Sequence, residues 1–146
     1  MQTLIEFCDH PIETSHYLAQ TVNYEFGALD LFIGKVRNFN QNRDVMGVHY
    51  EAFIPLAQKI LEELCVQAKK ETNSDLDIII IHRLGYLNVG EISILIAVGS
   101  KHRNEAFVGC RYLIEQIKHQ VPIWKQEHYT DGKSEWVKGH VLCQHE

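Results

Sequence analysis

The chain has 146 residues, of which 45% are hydrophobic and 23% charged, with a formal net charge of -5. That length suits one domain that buries a core without disulfide or metal staples, and the acidic balance argues against a general nucleic-acid binder, which needs excess Lys and Arg to displace counterions. Residues 1–100 hold 13 acids and 7 bases, whereas residues 101–138 hold 7 bases and 5 acids, so a cationic pocket in the C-terminal third would stand out against an acidic background.

In chain order, residues 3–8 read as a short strand and residues 12–22 as a helix with Pro11 near its start. After Gly27, residues 28–37 form the first strong strand pattern. Its alternation places Leu29, Leu31, Ile33, Lys35 and Arg37 on one face. The apolar part of that face is expected in the core, with the basic pair emerging at the strand's end. Residues 38–44 are polar and read as a mobile loop, and residues 48–53 as a strand. Pro55 opens an amphipathic helix over 55–70, with Leu56, Ile60, Leu64 and Ala68 at intervals of four. Residues 77–84 contain four consecutive isoleucines and read as a buried central strand. A loop over 85–90 leads to another apolar strand over 92–98. Ser100 is a suitable N-cap for a helix from 101 to about 120, with Ala106, Phe107, Cys110, Leu113, Ile114 and Ile117 inward. Pro122 stops that helix. Residues 124–129 and 135–138 read as strands joined by an Asp131–Gly132 turn. Strands and helices mix without a regular βαβ repeat, which defines an α+β class.

There are no internal repeats or Pro/Gly-rich linkers, so residues 1–140 are expected to form one domain and residues 141–146 a short tail. The first residues lack the pattern of a signal peptide, and no apolar run approaches the ~20 residues of a membrane span. The expectation is therefore a cytoplasmic protein. Cys8, Cys65, Cys110 and Cys143 form no CxxC, and no zinc spacing is present. Cys65 and Cys110 fall on apolar helix stripes and read as buried reduced thiols.

Three segments could carry chemistry. The first is SKHR at 100–103, between a strand and a helix. Basic residues in a first helical turn oppose the macrodipole. An anion held by the free backbone N–H groups, with His102 and Arg103 closing over it, would remove the conflict. A solvated basic turn is the competing reading. The second is Lys118 with Lys125, separated by Pro122 and Trp124. An aromatic beside a lysine suits a partly desolvated ammonium able to act as a base; two ordinary surface lysines are the alternative. The third is GKVRN at 34–38, which carries Lys35 and Arg37 and lacks the P-loop pattern. No Ser–His–Asp pattern, paired-carboxylate signature or dinucleotide fingerprint is present. Any catalysis would rest on lysine and arginine.

These segments, in this order, resemble the large catalytic subunit family of molybdopterin synthase. The matching stretches are GKVRN at 34–38, HYEAF at 49–53, IHRLGYLNVGE at 81–91, SKHRNEAF at 100–107 and IKHQVPIWKQE at 117–127, with the DG turn and Trp136–Val137 completing the set. The resemblance implies an α/β-hammerhead fold with an additional antiparallel β subdomain. It implies conversion of cyclic pyranopterin monophosphate into molybdopterin, by adding two sulfurs as a dithiolene, with no cofactor or metal. The sulfur donor it implies is a ubiquitin-like sulfur-carrier small subunit with a C-terminal glycine thiocarboxylate. The implied assembly is a homodimer with one small subunit at each end, acting on a pterin and on neither nucleic acid nor membrane. Carried over by position, Lys118 and Lys125 are the catalytic lysines. Arg37, His102, Arg103, Lys35 and Glu127 belong to the substrate pocket. Many relatives run longer and place an arginine near position 140, where this chain has His140, so that contact is either taken over by His140 or absent.

His102 and Lys118 lie sixteen residues apart on one expected helix, a separation of about 24 Å along its axis. The implied pocket is therefore expected to be composite, with Lys118, Lys125 and Arg37 from one chain and His102 and Arg103 from another. Two other functions fit the same residues: a non-catalytic phosphate- or nucleotide-binding module built on the SKHR helix start, and a scaffold that presents a sulfur carrier to another enzyme.

Overall fold

The computed structural model describes residues 2–137; the expectations for His140 and for the 141–146 tail fall outside them. Nine strands and three helices alternate irregularly within that span, in two sheets. The α+β class expected from the sequence holds.

The first sheet has the order β1-β5-β7-β2, from Thr3–Cys8, Asp77–Arg83, Ile92–Ser100 and Ala28–Lys35. β1 and β5 are parallel, and the other pairs are antiparallel. Its centre is apolar on both faces because both are covered. Ile78, Ile80, Ile96 and Val98 meet the long helices α2 (Ile54–Thr72) and α3 (Arg103–Gln120). Ile79, Ile81, Leu95 and Ala97 meet Ile12 and Tyr17 around the short helix α1 (Thr14–Leu18).

The second sheet is antiparallel: β3 (Phe39–Asn40), β4 (Arg43–Ala52), β8 (Ile123–Tyr129) and β9 (Ser134–Val137), with β6 (Gly85–Asn88) also paired to β4. Its inner face buries Val45, Val48, Leu87 and Tyr129. Tyr50 packs on this cluster and on the main core, so it lies where the two sheets meet.

Several expectations need correction. Residues 38–44 are not a loop: Gln41 and Asn42 take left-handed φ angles of 51° and 63° and close a two-residue hairpin between β3 and β4. Residues 85–88 form a strand, started at Gly85 with φ 92°. Only Thr14–Leu18 of the 12–22 segment is helical, because i+3 turns follow Tyr17 and Leu18. Leu29, Leu31 and Ile33 remain 43%, 38% and 37% exposed. The other face of β2 meets α3, and α1 is too short to cover this edge strand. Ser100 is not a cap. It ends β7 opposite Ala28, and its hydroxyl donates to the His102 carbonyl oxygen, so the helix starts at Arg103. Phe107 is 57% exposed. The inward face of α3 runs through Ala106, Gly109, Cys110, Leu113 and Ile117, and Phe107 sits one step round from it. Gly109 belongs to that face by necessity: a Cβ there would come 3.2 Å from Leu76 and 3.3 Å from Val98.

Candidate active site

Lys118 lies in the last turn of α3 and Lys125 is the third residue of β8. Between them the chain leaves the helix through Val121, Pro122 and Ile123. Val121 and Ile123 are buried in the main core, and the Pro122 carbonyl accepts from the Phe53 N–H at 3.3 Å. This anchored crossing turns both lysines into one inner cavity of about 70 Å³, whose walls include Tyr50, His82, Ser93 and Ile117. Lys125 stands opposite Tyr50 in the β4–β8 register. Its desolvation comes from this face, not from Trp124, which alternation turns to the other side of the sheet.

Lys118 also borders a wider groove of about 610 Å³ between β2 and α3, lined by Phe32, Phe107, Cys110 and Ile114. A groove of that size accommodates a drug-sized molecule. Lys118 and Ile114 line both spaces, so Lys118 stands between the groove and the inner cavity.

Glu127 lies on the same face of β8 as Lys125 and is 4% exposed. Its carboxylate is heavily engaged. The Asn40 amide donates to its two oxygens at 3.0 and 2.9 Å, the Tyr129 hydroxyl donates at 3.2 Å, and the Lys125 ammonium lies 3.7 Å away. Arg37 in turn donates to the Asn40 carbonyl oxygen at 3.3 Å. A polar chain thus runs from the GKVRN segment through the β3–β4 hairpin to Lys125. Burial and the adjacent Glu127 push the Tyr129 phenol up to about 12, so it remains a donor. Arg43 stacks 3.4 Å above the centre of that ring.

The loop that carries Arg37 is clamped from below. Arg83 donates to Glu91 at 2.8 Å, and the other Glu91 oxygen accepts from the Asn88 N–H at 2.7 Å. These bonds hold the Glu91 carboxyl below its ordinary range. The backbone of the same turn pairs with Val36 through both its N–H and its carbonyl.

The structure therefore brings together Lys118, Lys125, Glu127 and, through Asn40, Arg37. It does not bring Lys35, His102 or Arg103 to them. Lys35 is exposed at the end of β2, and His102 and Arg103 are exposed at the opposite end of α3 from Lys118. Asn40, Tyr50, His82 and Tyr129 belong to this network and were not singled out in the sequence. Cys65 and Cys110 are buried, and desolvation pushes both thiols up to about 12, far from the thiolate form. Among the described residues no group of three His, Cys, Asp or Glu side chains is placed to hold a metal. No helix among them is long and apolar enough to cross a membrane.

Fold and site together define a class: an α+β protein with a lysine-lined cavity at the seam of two sheets, beside a groove of ligand size. Comparison narrows the class to a family. Residues 7–120 match the family model described as MoaE protein, and the chain belongs to that family. It is 48% identical over 119 residues to the molybdopterin synthase catalytic subunit of Synechococcus elongatus, covering 82% of this chain and 72% of that one. The catalytic subunit from a Nostoc species is 38% identical over 133 residues, with 91% and 79% covered. The crystal structure of molybdopterin synthase from Staphylococcus aureus superposes with a TM-score of 0.84 at 37% identity, covering 90% of this chain and 95% of that chain.

Proposed function

We propose that this chain is the catalytic subunit of a molybdopterin synthase, an enzyme subunit acting in molybdenum cofactor biosynthesis. In this reading it transfers sulfur from a thiocarboxylated small carrier subunit to cyclic pyranopterin monophosphate, forming the dithiolene of molybdopterin. The observation that carries it is the convergence of Lys118 and Lys125, from a helix and a strand, on one cavity at the end of a ligand-sized groove. Family membership supplies the reaction; the cavity supplies the cations it needs.

The roles follow from placement. Lys118 borders both spaces, so it meets the reacting centre and either removes a proton or stabilises the oxyanion formed as sulfur leaves the thiocarboxylate. Lys125, held by Glu127, directs the carrier's tail or assists proton transfer. Arg37 grips phosphate or pterin oxygens. Glu127, with its oxygens engaged inside the fold, orients Lys125 and Asn40 rather than touching substrate. Lys35 contributes only long-range charge.

His102 and Arg103 reach a site only from a second copy of the chain. The exposed apolar row Leu29, Leu31 and Ile33 supplies a surface for such a homodimer. Residues 1–140 act as one domain, and the compartment is the cytoplasm.

The test is direct. Purified chain is incubated with thiocarboxylated carrier and cyclic pyranopterin monophosphate, and molybdopterin is measured as its oxidised fluorescent derivative. The wild type forms product, whereas Lys118→Ala binds the carrier and forms at least about a hundredfold less. No product from the wild-type chain would leave a scaffold or binding module as the better reading, and undiminished product from Lys118→Ala would remove Lys118 from the reaction.

A further inference from the structure

The lysines share their cavity with a third nitrogen base. His82 is 6% exposed near the end of β5, beyond the buried isoleucines Ile78 and Ile80 on the same face. In register it faces Phe7 of β1 and Ile94 of β7. Its ring meets Tyr50 edge-on with centroids 5.2 Å apart, and it lines the inner cavity with Lys118 and Lys125. A phenyl or aliphatic side chain would fill this apolar position at no polar cost, so an imidazole here calls for a reason.

Its tautomer is set by its neighbour. The Nδ1 atom lies 2.8 Å from the Arg83 carbonyl oxygen. A carbonyl only accepts, so Nδ1 carries the proton and Nε2 carries the lone pair. The titratable groups turned toward the ring are Lys118 from α3, Lys125 from β8 and Tyr50 from β4, while β1 and β7 present Phe7, Ser93 and Ile94. No carboxylate lines this cavity among the described residues. Burial pushes the His82 pKa down to about 4, with the Lys118 charge adding to the fall and the Arg83 carbonyl opposing it. The ring is neutral at neutral pH. Two ammonium groups share about 70 Å³, and the carboxylate beside them, Glu127, lies 3.7 Å from Lys125. A neutral acceptor steadies one of them without adding a third positive charge.

We propose that His82 is the positioning residue for Lys118, its Nε2 lone pair accepting a hydrogen bond from the Lys118 ammonium and holding it at the junction of groove and cavity. The proposal rests on Lys118 being the reacting lysine of the function proposed above.

Three substitutions separate acceptor from shape. His82→Gln offers an oxygen near the position of Nε2. His82→Asn restores the short arm toward Arg83 without reaching Lys118. His82→Phe keeps the ring alone. In the molybdopterin assay, His82→Phe and His82→Asn are expected to lower kcat about ten- to a hundredfold, with KM within about threefold of wild type. His82→Gln is expected to recover kcat to within about threefold of wild type. A second readout does not depend on turnover: the Lys118 ammonium is followed by heteronuclear NMR in the full chain at one fixed pH. Loss of the acceptor in His82→Asn or His82→Phe should move the Lys118 Nζ resonance, and His82→Gln should restore it. The proposal is overturned if His82→Gln is as impaired as His82→Asn, or if the Lys118 resonance is the same in all variants. Should wild-type chain form no molybdopterin, the functional reading fails, and the NMR comparison still decides the role of His82. If His82→Phe does not fold, the Gln and Asn pair carries the comparison.

Discussion

Complementation between two inactive chains tests whether the site is shared. Arg103 opens α3 and Lys118 lies in its last turn. Fifteen residues of helix place them about 22 Å apart along the axis. A pterin, roughly 10 Å across on covalent geometry, does not span that distance even with long side chains reaching inward. In a two-fold dimer the Arg103 end of one chain can instead meet the Lys118 end of the other. One differently tagged chain carries Lys118→Ala and the other Arg103→Ala, and the two are refolded or coexpressed together. Under random pairing about half the dimers are mixed. Each mixed dimer has one site with both defects and one with neither, so the population regains about a quarter of wild-type sites. The parents set a low background: Lys118→Ala loses about 10²–10³-fold, and Arg103→Ala about tenfold to a hundredfold from a lost charge-assisted contact. Molybdopterin formation in the tag-purified mixed dimer is the assay. Activity that never exceeds the sum of the two parents would refute a shared site and place the whole pocket within one chain.

Three further outcomes follow from local geometry. Glu127→Ala removes the acceptor of Asn40 and Tyr129 and the counter-charge of Lys125, so it should cost about 3–5 kcal/mol by denaturant unfolding; a loss under about 1 kcal/mol would mean the network is solvated rather than structural. Acid should destabilise the fold through His82, whose pKa burial lowers to about 4 in the fold from its ordinary 6.5. Between those values the unfolded chain binds the extra proton, so stability is intact above about pH 6.5 and falls by up to about 3 kcal/mol on approach to pH 4. Urea melts of wild type and His82→Phe across that range should show a shallower pH dependence in the variant, and equal slopes would assign the acid sensitivity elsewhere. Gly47→Ala should destabilise by about 1–3 kcal/mol, because the new Cβ would meet the Tyr86 hydroxyl and come within 2.9 Å of the Leu87 carbonyl oxygen; thermal unfolding unchanged from wild type would show that β6 moves aside at no cost.

Legibility followed the length of the apolar pattern. The four isoleucines at 78–81 and the stripe of α3 announced their elements because burial there is dense and periodic. Faces were harder than elements. Leu29, Leu31 and Ile33 alternate like core residues, but which side of an edge strand is covered depends on the reach of α1, which terminates early. The β3–β4 hairpin was missed because Gln41–Asn42 is a weaker turn signal than Asn–Gly, although both residues take the required left-handed angles. Missing that hairpin hid Asn40, and with it the link from Arg37 to Glu127. His82 did leave a trace in the sequence. It is a polar residue directly after an uninterrupted apolar run, where a buried histidine must answer for its desolvation.

The site owes its existence to the seam between the sheets. Lys118 belongs to the layer of the first sheet and Lys125 to the second, seven residues later. What sets the distance between their charges is the packing of Val121 and Ile123 into the main core and the tie from Phe53 to Pro122. Tyr50 contributes from the other side, touching both hydrophobic clusters and the His82 ring. A substitution that loosens this crossing, such as Ile123→Ala, removes no polar group from the cavity. It allows the lysines to separate, and a displacement of about 1 Å at a reacting group can cost on the order of a hundredfold in rate. Placement of the two lysines is thus a property of core packing, and the polar network from Arg37 to Lys125 orients groups whose positions the apolar seam has already determined.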